Sequence, residues 1–436
     1  MHKSYIAVIQ AGGRGTRMRT LTEDSIPKPM LLMNGKPLIE WQIENIKSFG
    51  IKEFVVIVGY LGEKIKEYLE NGERWNIHIS YIEENEPLGS AGSLFDLKKI
   101  YPNRDFLLIF GDVIFNIEWN RMISFHERHS AIITLLVHPN AHPYDSDLVT
   151  LSEEERVCAI DSKQNQRDYW YDNLVNAGIY IFDYRALGNI VAASKKDLEQ
   201  DVILPLIYEG KVYGYRTPEY VKDTGTPERF WQAVKEQKVG ILCKKSLKNK
   251  QKCVFLDRDG TINKYEGLLY QNDKFELIAG VAGAIQRLNT SVYLVIVVTN
   301  QPVVARGLCS EEDVKEIHRK MQVKLGEEGA YLDDIVFCPH HPDKGYVEEN
   351  SLYKMVCGCR KPDIGMIVFM AEKYNIDLTE SYIVGDSTVD IQTGINAGMK
   401  TILVKTGQAG GDGKYEAQPD YIADNLEKAV EYILEV

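Results

Sequence analysis

Two short stretches of the sequence combine residue types that could handle phosphate. "FLDRDGTIN" (255–263) places Asp257 and Asp259 two residues apart, directly after an apolar run. Two carboxylates at this spacing can serve one Mg²⁺ and one phosphoryl group, with one acting as nucleophile and the other as proton donor. The pair alone is common in proteins, so its meaning depends on the motifs that accompany it.

"IAVIQAGGRGTRM" (6–18) has the opposite chemistry and suits an anion. Three glycines allow backbone N–H groups to approach a phosphate closely. Basic residues add positive charge to this region: Arg14, Arg17, Arg19 and Lys28. The loop lacks the G-x-G-x-x-G spacing of a dinucleotide site and the G-K-[ST] of a P-loop. It therefore predicts a phosphate-binding loop of another kind.

A third group of candidate ligands comes late in the chain. "CPHHP" (338–342) and "CGC" (357–359) supply three cysteines together with His340 or His341. Two short ligand pairs separated by a loop suit tetrahedral Zn²⁺, and a free redox pair is the competing interpretation. Four protein ligands leave no open position, so we expect a structural zinc that folds a loop too polar to pack alone.

The elements that must position these residues form two α/β series. Short apolar strands alternate with helices from residue 6, and the alternation restarts near residue 252. This pattern indicates βαβ units and mainly parallel sheets. We predict two domains, 1–235 and 252–436, joined by a lysine-rich linker at 236–251. A cationic helix end packed on the first domain is the alternative for the first half of that linker.

One helix of the second series has a recognisable start. "SEEDVKEIHRKMQVKLGEEG" reads as a helix with Ser310 as its N-cap. Asp313, three residues on, is an acidic capping-box partner, although shorter than the usual glutamate.

Length and charge limit the function classes. The chain has 436 residues, 44% of them hydrophobic, which predicts a globular protein of more than one domain. The net charge of −12 argues against nucleic-acid or anionic-membrane partners, which require clustered lysine and arginine. No apolar run approaches the ~20 residues needed to span a bilayer, and "MHKSYIAVIQ" is too short in apolar residues for a signal peptide. We expect a cytoplasmic protein and leave its oligomeric state open.

Several motifs of the first series together resemble the sugar-1-phosphate nucleotidyltransferases. Besides the glycine loop and the following "PKPM", they are "EPLGSAGSL" (86–94), "FGDV" (110–113), "NAGIYIF" (176–182) and "KDTGTPERF" (222–230). The resemblance covers roughly 1–235 and implies a Rossmann-like domain with a mixed sheet. A sugar 1-phosphate would attack the α-phosphorus of a nucleoside triphosphate, and pyrophosphate would leave.

The resemblance also implies residue roles. Arg17 would hold the triphosphate and Lys28 would bridge the reacting phosphates. Asp112 and Asp223 would hold Mg²⁺, and Asn176 would meet sugar hydroxyls. The implied nucleotide-binding residues are Ala11, Gly12, Gly13, Gly15, Thr16, Glu86 and Gly89.

Two further points concern base and sugar. A carboxylate at Glu86 can accept from N1–H and N2–H₂ of guanine, which favours GTP, although Glu86 could equally face solvent. The family often has Glu-Lys-Pro before the "NAGIYIF" strand, with its lysine on the sugar phosphate. Here the stretch is "DSKQNQRDYW", in which Lys163 is the candidate for that role.

The second series resembles the haloacid-dehalogenase phosphatases over essentially all of 252–436. The motifs are "FLDRDGTIN", "VVTNQ" (297–301), "CRKP" (359–362) and "VGDSTVD" (384–390). By resemblance, Asp257 attacks the phosphate and Asp259 protonates the leaving alcohol. Thr299 and Lys361 would contact the phosphoryl oxygens. Asp386 would bind Mg²⁺ together with Asp257 and the backbone carbonyl of Asp259. Asp390 would support the metal through water.

Within that superfamily, "CPHHP" and "CxCRKP" add a resemblance to the D-glycero-D-manno-heptose 1,7-bisphosphate 7-phosphatases. It implies zinc ligands Cys338, His340, Cys357 and Cys359, and contacts of Asn300, Arg306 and Arg360 with the sugar or the distal phosphate. The histidinol-phosphate phosphatases share the zinc loop and remain an alternative, as does a non-catalytic regulatory role for one half.

The two resemblances meet in one reaction sequence. Removal of the 7-phosphate leaves a heptose 1-phosphate, which is an acceptor for a nucleotidyltransferase. We therefore expect a bifunctional enzyme of nucleotide-activated heptose biosynthesis. It would use heptose phosphates and a nucleoside triphosphate, with GTP favoured because the first domain resembles the heptose-1-phosphate guanylyltransferases.

Overall fold

The computed structural model describes residues 5–188, 190, 192 and 194–435, so the first four residues of the N-terminal stretch discussed above lie outside it. The chain divides into two units. The first comprises Met1–His138, Asp147–Ser162 and Leu174–Ser246, and the second comprises Pro139–Ser146, Lys163–Asn173 and Leu247–Val436.

The first unit alternates strands and helices. Its strands are β1 (Ile6–Gln10), β2 (Leu32–Met33), β3 (Lys36–Pro37), β4 (Glu53–Val58), β5 (His78–Glu83), β6 (Phe106–Phe110), β7 (Val113–Asn116), β8 (Ile133–His138), β9 (Leu148–Leu151), β10 (Val157–Asp161), β11 (Val175–Phe182), β12 (Val212–Arg216) and β13 (Tyr220–Asp223). Its α-helices are α1 (Arg19–Thr22), α2 (Leu38–Lys47), α3 (Gly62–Leu69), α4 (Leu94–Ile100), α5 (Trp119–Arg128), α6 (Leu204–Tyr208), α7 (Pro227–Lys238) and α8 (Ile241–Lys244).

A nine-stranded sheet forms the centre of this unit. Its order is β10-β9-β11-β6-β1-β4-β5, and β8 pairs with both β11 and β12. β6, β1, β4 and β5 are parallel, whereas β11 is antiparallel to β6 and β8. The predicted mixed sheet is confirmed. Its parallel part brings the carboxyl ends of β1, β4 and β6 to one edge, where open α/β sheets bind ligands.

The predicted linker contains helical structure. α7 continues to Lys238, α8 follows within the stretch, and the division between the units falls after Ser246. α7 begins at Pro227, with the Thr226 side chain accepting a hydrogen bond from the Arg229 backbone N–H. The helix that begins with this capped turn therefore extends into the predicted linker, where the sequence has little apolar periodicity.

The second unit has a purely parallel sheet of order β16-β15-β14-β17-β18-β19. Its strands are β14 (Lys252–Leu256), β15 (Tyr293–Asn300), β16 (Asp334–Cys338), β17 (Tyr382–Gly385), β18 (Lys400–Val404) and β19 (Tyr421–Ala423). Its α-helices are α9 (Val281–Asn289), α10 (Glu311–Glu327), α11 (Gly365–Tyr374), α12 (Thr388–Ala397) and α13 (Leu426–Glu435).

Alternate residues of β14 enter two different cores. Val254 and Leu256 pack in one cluster, and Cys253 and Phe255 pack in another. All four are fully buried, as expected for a central parallel strand covered on both faces. The strand therefore holds the residues that follow it, starting with Asp257, at a fixed position on the sheet edge.

The predicted start of α10 is confirmed. The Asp313 backbone N–H donates to Ser310 Oγ at 3.1 Å, and the Ser310 backbone N–H donates to Asp313 Oδ2 at 2.8 Å. These two bonds form a capping box with aspartate in place of glutamate.

Across the described part of the chain, every helix is too short or too polar to traverse a lipid bilayer.

Candidate active sites

The loop after β1 is shaped by the side chains around it. A Cβ atom at Gly12 would stand 2.9 Å from Glu84 Oε2, and one at Gly15, whose φ is 58°, would stand 3.3 Å from Lys28 Cβ. Nothing lies within 4 Å of the same position at Gly13. Glycine is therefore required beside Glu84 and Lys28, while the backbone at Gly13 is open to a ligand. The predicted nucleotide-binding residues of this loop are Ala11, Gly12, Gly13, Gly15 and Thr16.

Lys28 is buried and directs its charge at Asp112. Its Nζ donates to Asp112 Oδ2 at 2.7 Å. The backbone N–H and hydroxyl of Thr224 donate to the Asp112 carbonyl at 2.9 and 2.7 Å. Because β13 pairs with β7, Asp223 lies opposite Val113. The two aspartates predicted to bind Mg²⁺ therefore lie on adjoining backbone segments just after β6.

Asp223 pairs with one arginine and lies near a second. Arg229 Nη1 donates to Asp223 Oδ2 at 2.7 Å. A Cβ at Gly225 would lie 2.8 Å from Asp223 Oδ1 and 3.0 Å from Arg17 Nη2, so Arg17 reaches the same place. Arg229 is not among the predicted site residues, although it sits inside the quoted "KDTGTPERF" motif. Cations and carboxylates thus converge here, which is the charge pattern needed to hold a triphosphate with a divalent ion.

Glu84, which is also not among the predicted site residues, lies against the glycine loop. Ser93 Oγ donates to its Oε1, and burial raises the pKa of Glu84 despite that hydrogen bond. Glu86, the predicted base-recognition residue, is exposed. Gly89 has φ 75°, and a Cβ there would stand 2.4 Å from the Lys196 carbonyl oxygen. The turn after Glu86 is therefore packed tightly, and the carboxylate beside the loop is that of Glu84.

Asn176 on β11 has polar partners suited to a sugar site. Its Nδ2 donates to Tyr180 Oη and to Glu199 Oε1, both at 2.8 Å. Lys163 lies in a segment that groups with the second unit, whereas Asn176 belongs to the first. Glu199 supplies a carboxylate at this place that motif spacing alone did not indicate.

Asp257, directly after β14, is buried beside a lysine. Lys361 Nζ donates to Asp257 Oδ1 at 2.7 Å and to Asp390 Oδ1 at 2.5 Å. The other oxygen of Asp390 accepts hydrogen bonds from Ser387 at the start of α12. Oxygens of Asp257, Asp386 and Asp390 lie within 4.8 Å of one another. One ammonium group therefore pairs with two carboxylates, and a third carboxylate lies close to both.

Asp386 is held between two glycines. The Gln408 backbone N–H donates to Asp386 Oδ2 at 2.7 Å, and a Cβ at Gly260 or Gly407 would stand 2.1 Å from that oxygen. Burial, followed by neighbouring charges, raises the pKa of Asp386 to about 8, and burial raises that of Asp257 to about 6. A divalent cation fits this set because it would supply the positive charge that the carboxylates lack.

The Asp259 side chain takes different partners. Arg258 Nη2 donates to its two oxygens at 3.0 and 2.9 Å. Asn263 Nδ2 donates to Oδ1 at 3.0 Å, and Gln301 Nε2 donates to Oδ2 at 2.9 Å and to Thr299 Oγ1 at 2.9 Å. The Asp259 carboxylate is therefore oriented separately from the cluster around Lys361.

The remaining predicted residues of this unit surround Lys361 and the cysteine loop. The Asn300 amide brackets the backbone of Lys361, accepting from its N–H and donating to its carbonyl, both at 3.0 Å. Arg360 donates to a loop carbonyl at 3.1 Å, and burial lowers its pKa. Arg306 lies over the Tyr346 ring, with Cζ 4.6 Å from the ring centroid.

The three cysteines and one histidine converge as predicted. Ligand atoms of Cys338, His340, Cys357 and Cys359 lie within 4.8 Å of one another. The Sγ atoms are 3.2, 3.3 and 3.5 Å apart, too far for disulfides of about 2.05 Å. His341 is turned away, and its Nδ1 accepts a backbone N–H two residues on at 3.1 Å. This donor set fits a tetrahedral soft-metal site, with His340 as its nitrogen ligand.

Comparison with known proteins gives a family to each region. The family model described as Nucleotidyl transferase matches residues 6–239, more than half of the chain, and the one described as HAD-hydrolase-like matches 358–429. The chain is 40% identical to the D-glycero-beta-D-manno-heptose-1,7-bisphosphate 7-phosphatase of Haemophilus ducreyi over 185 residues, which are 42% of this chain and 98% of the relative. The chain belongs to the nucleotidyl transferase family and to the family of these phosphatases.

Two solved structures are also similar. The magnesium and phosphate complex of D,D-heptose 1.7-bisphosphate phosphatase from B. bronchiseptica has 33% identity, covers 42% of this chain and 99% of its own, and has a TM-score of 0.37. The GMP-PN complex of HddC from Yersinia pseudotuberculosis has 24% identity, covers 53% and 99%, and has a TM-score of 0.47.

The family membership confirms the two predicted enzyme classes. One chain combines a nucleotidyl transferase, whose residues contribute the glycine loop, with a phosphatase, whose residues contribute Asp257 and its neighbours. The match to the Haemophilus ducreyi phosphatase extends over 98% of that relative's length.

We expect Mg²⁺ to stabilise the phosphatase more strongly at pH 8 than at pH 5. With folded pKa values of about 6 and 8, against roughly 4 when unfolded, Asp257 and Asp386 bind protons at pH 5 that compete with the ion. The same shifts make the metal-free domain lose stability as pH rises from roughly 4 to 8.

Thermal unfolding with and without MgCl₂ should show the larger rise in Tm at pH 8. Asp386→Asn should remove the rise, and an equal rise at both pH values would contradict the expectation.

Proposed function

We propose that the chain makes a nucleotide-activated heptose in two consecutive steps. The phosphatase removes the 7-phosphate of D-glycero-D-manno-heptose 1,7-bisphosphate, and the transferase adds a nucleoside monophosphate, with GMP favoured, to the heptose 1-phosphate. The observation that carries this proposal is 40% identity to a heptose bisphosphate phosphatase over 98% of its length, on the same chain as a nucleotidyl transferase. The product of the first reaction is an acceptor of the kind that the second requires.

The phosphatase reaction proceeds through a covalent intermediate. An Asp257 oxygen attacks phosphorus, the bond from phosphorus to the sugar oxygen breaks, and Asp259 gives its proton to that oxygen. Asp259 then takes a proton from water, which attacks the same phosphorus and releases inorganic phosphate from Asp257. Lys361, 2.7 Å from Asp257, and Thr299 contact the phosphoryl oxygens.

Mg²⁺ is the cofactor that fits these residues. Asp257, Asp386 and the backbone carbonyl of Asp259 would hold it, and it supplies positive charge to the phosphoryl oxygens when bound. Asp390 has one oxygen on Lys361 and the other on Ser387, so its direct role is to orient the lysine and cap α12.

The transferase reaction requires alignment more than covalent chemistry. A phosphate oxygen of heptose 1-phosphate attacks the α-phosphorus, and the bond to pyrophosphate breaks. Arg17 and Lys28 hold the anionic groups, and Asn176 orients sugar hydroxyls. Asp112 and Asp223 would hold Mg²⁺, and Lys28, now paired with Asp112 at 2.7 Å, would then be released toward the phosphates.

Glu84 is the residue that we propose to read the base. Guanine offers N1–H and N2–H₂ to a carboxylate, and adenine has no such pair of donors. Glu84 lies beside Gly12 of the phosphate loop and is half-buried, whereas Glu86 is exposed. A half-buried carboxylate gains more from these two donors than one that water already solvates.

The cysteine cluster is proposed to hold a structural Zn²⁺. Cys338, Cys357, Cys359 and His340 would complete its coordination and leave no position for a substrate. Burial by itself would raise the pKa of Cys357, but hydrogen bonds from Cys359 and Cys338 lower that pKa overall, which is the direction that metal binding requires.

Two substitutions should separate the two activities. Asp257→Asn should abolish phosphate release from the bisphosphate, since an amide cannot form the acyl phosphate, and should leave pyrophosphate release from GTP and heptose 1-phosphate intact. Lys28→Ala should do the reverse, lowering pyrophosphate release on the order of 100-fold. Phosphate and pyrophosphate assays on each variant check both. Phosphate release by the Asp257→Asn variant would contradict the phosphatase mechanism.

Base selection should depend on Glu84. Glu84→Gln should lower kcat/KM for GTP by about 10- to 100-fold, because the amide cannot accept both guanine donors and leaves one unpaired. Glu86→Gln is the matched control and should behave like the unmodified protein. A large fall of kcat/KM for GTP in Glu86→Gln, with no fall in Glu84→Gln, would contradict the proposed role of Glu84.

Metal content should distinguish the two adjacent histidines. We expect one zinc per chain by elemental analysis, loss of that zinc in His340→Gln, and retention in His341→Gln. Loss of zinc should also lower the Tm of the phosphatase, because the loop is folded by the metal. Full zinc content in the His340→Gln protein would exclude the proposed ligand set.

A further inference from the structure

The arginine between the two catalytic aspartates is fully buried. Arg258 has no exposed surface. Its Nη2 donates to both oxygens of Asp259, and its Nη1 lies 3.2 Å from His318 Nε2. A buried guanidinium needs acceptors for its N–H groups, because an unpaired charged donor is costly in the interior. His318 supplies an acceptor on the side that Asp259 does not cover.

His318 belongs to α10 and is itself buried against an aromatic ring. Its ring lies edge-on to Phe337, with centroids 5.4 Å apart. Arginine cannot accept a hydrogen bond, so Nε2 must present its lone pair and the proton must sit on Nδ1. Burial, followed by the charges of Arg258 and Arg319, keeps the pKa of His318 well below its ordinary value. The imidazole is therefore a neutral acceptor.

We propose that His318 is a positioning residue that acts through Arg258 to orient the Asp259 carboxylate. The inference rests on the proposed phosphatase mechanism. The hydrogen bond from Nη1 to His318 fixes the plane of the guanidinium, and that plane fixes the carboxylate through contacts to both oxygens. Asn263 and Gln301 each hold one of these oxygens from another direction.

The orientation matters because Asp259 moves a proton in each half of the reaction. It first gives a proton to the departing sugar oxygen and later takes one from water. His318 does not touch either reacting group, so its substitution should affect proton transfer and not substrate binding. The choice of leaving group can separate these effects, since p-nitrophenolate departs without a proton and a sugar alkoxide does not.

The test is His318→Leu in the full-length, Mg²⁺-loaded protein. For heptose 1,7-bisphosphate we expect kcat to fall by about tenfold or more with KM nearly unchanged, a part of the usual contribution of general acid catalysis. The pre-steady-state burst of p-nitrophenol from p-nitrophenyl phosphate should keep its original rate. His318→Gln retains an acceptor oxygen and should recover most of kcat, and Met321→Leu on the same helix should leave both reactions unchanged.

The inference would be overturned if His318→Leu lowered the rates with heptose 1,7-bisphosphate and p-nitrophenyl phosphate equally, or lowered neither rate. It would also be overturned if His318→Gln did not recover activity. If the leucine variant does not fold, Arg258→Lys makes the same comparison, since it keeps the charge and removes the two-oxygen contact. Absence of phosphate release from the bisphosphate by the unmodified protein would instead overturn the proposed function, and the inference with it.

Discussion

The phosphatase site depends on one buried ammonium group among three carboxylates. Lys361 donates to Asp257 at 2.7 Å and to Asp390 at 2.5 Å, with its side chain 3% exposed. Burial alone would lower the pKa of Lys361, but the two aspartate charges raise it. Removal of the lysine would leave these buried carboxylates without a positively charged partner, which favours their protonation or the binding of a metal ion.

The same lysine links the chemistry to the fold. Its backbone is held by Asn300 at the end of β15, and its partner Asp390 caps α12. Burial, followed by the charges of Asp257 and Asp390, raises the pKa of the third carboxylate, Asp386, and the nearby ammonium does not offset this. A divalent ion at this place therefore completes a charge balance that the protein groups leave unfinished.

The transferase region uses a similar device. Lys28 is also buried and also lies 2.7 Å from an aspartate predicted to bind metal, Asp112. In both units a buried lysine thus pairs with a carboxylate that we propose to bind a metal ion. The surroundings differ, because the transferase region adds the open glycine loop and the phosphatase region adds Asp259, two residues after Asp257.

Much of this arrangement is predictable from the sequence where a local pattern determines it. The capping box of Ser310, the strand before Asp257 and the cysteine spacing are of this kind, since neighbours along the chain decide them. The antiparallel direction of β11 is not predictable in this way, because an apolar run has the same pattern in a parallel and in an antiparallel strand. Long-range packing likewise decides that Glu84 meets the glycine loop, which the "EENEP" stretch does not reveal.

The grouping of residues 163–173 with the second unit has the same origin. Asp172 accepts from Gln322 at 2.9 Å, a contact between residues 150 positions apart that no local pattern encodes. The position of Lys163 before "NAGIYIF" predicts a sugar-phosphate lysine of the first domain. The grouping of its segment with the second unit is a long-range property that this position does not reveal.

The most direct test of the central claim follows both reactions in one tube. Purified protein with heptose 1,7-bisphosphate, GTP and Mg²⁺ can be monitored by ³¹P NMR. We expect inorganic phosphate first, then pyrophosphate together with a GDP-linked heptose. Phosphate release with no nucleotide-linked sugar from any of the four nucleoside triphosphates, or pyrophosphate release that precedes dephosphorylation, would contradict it.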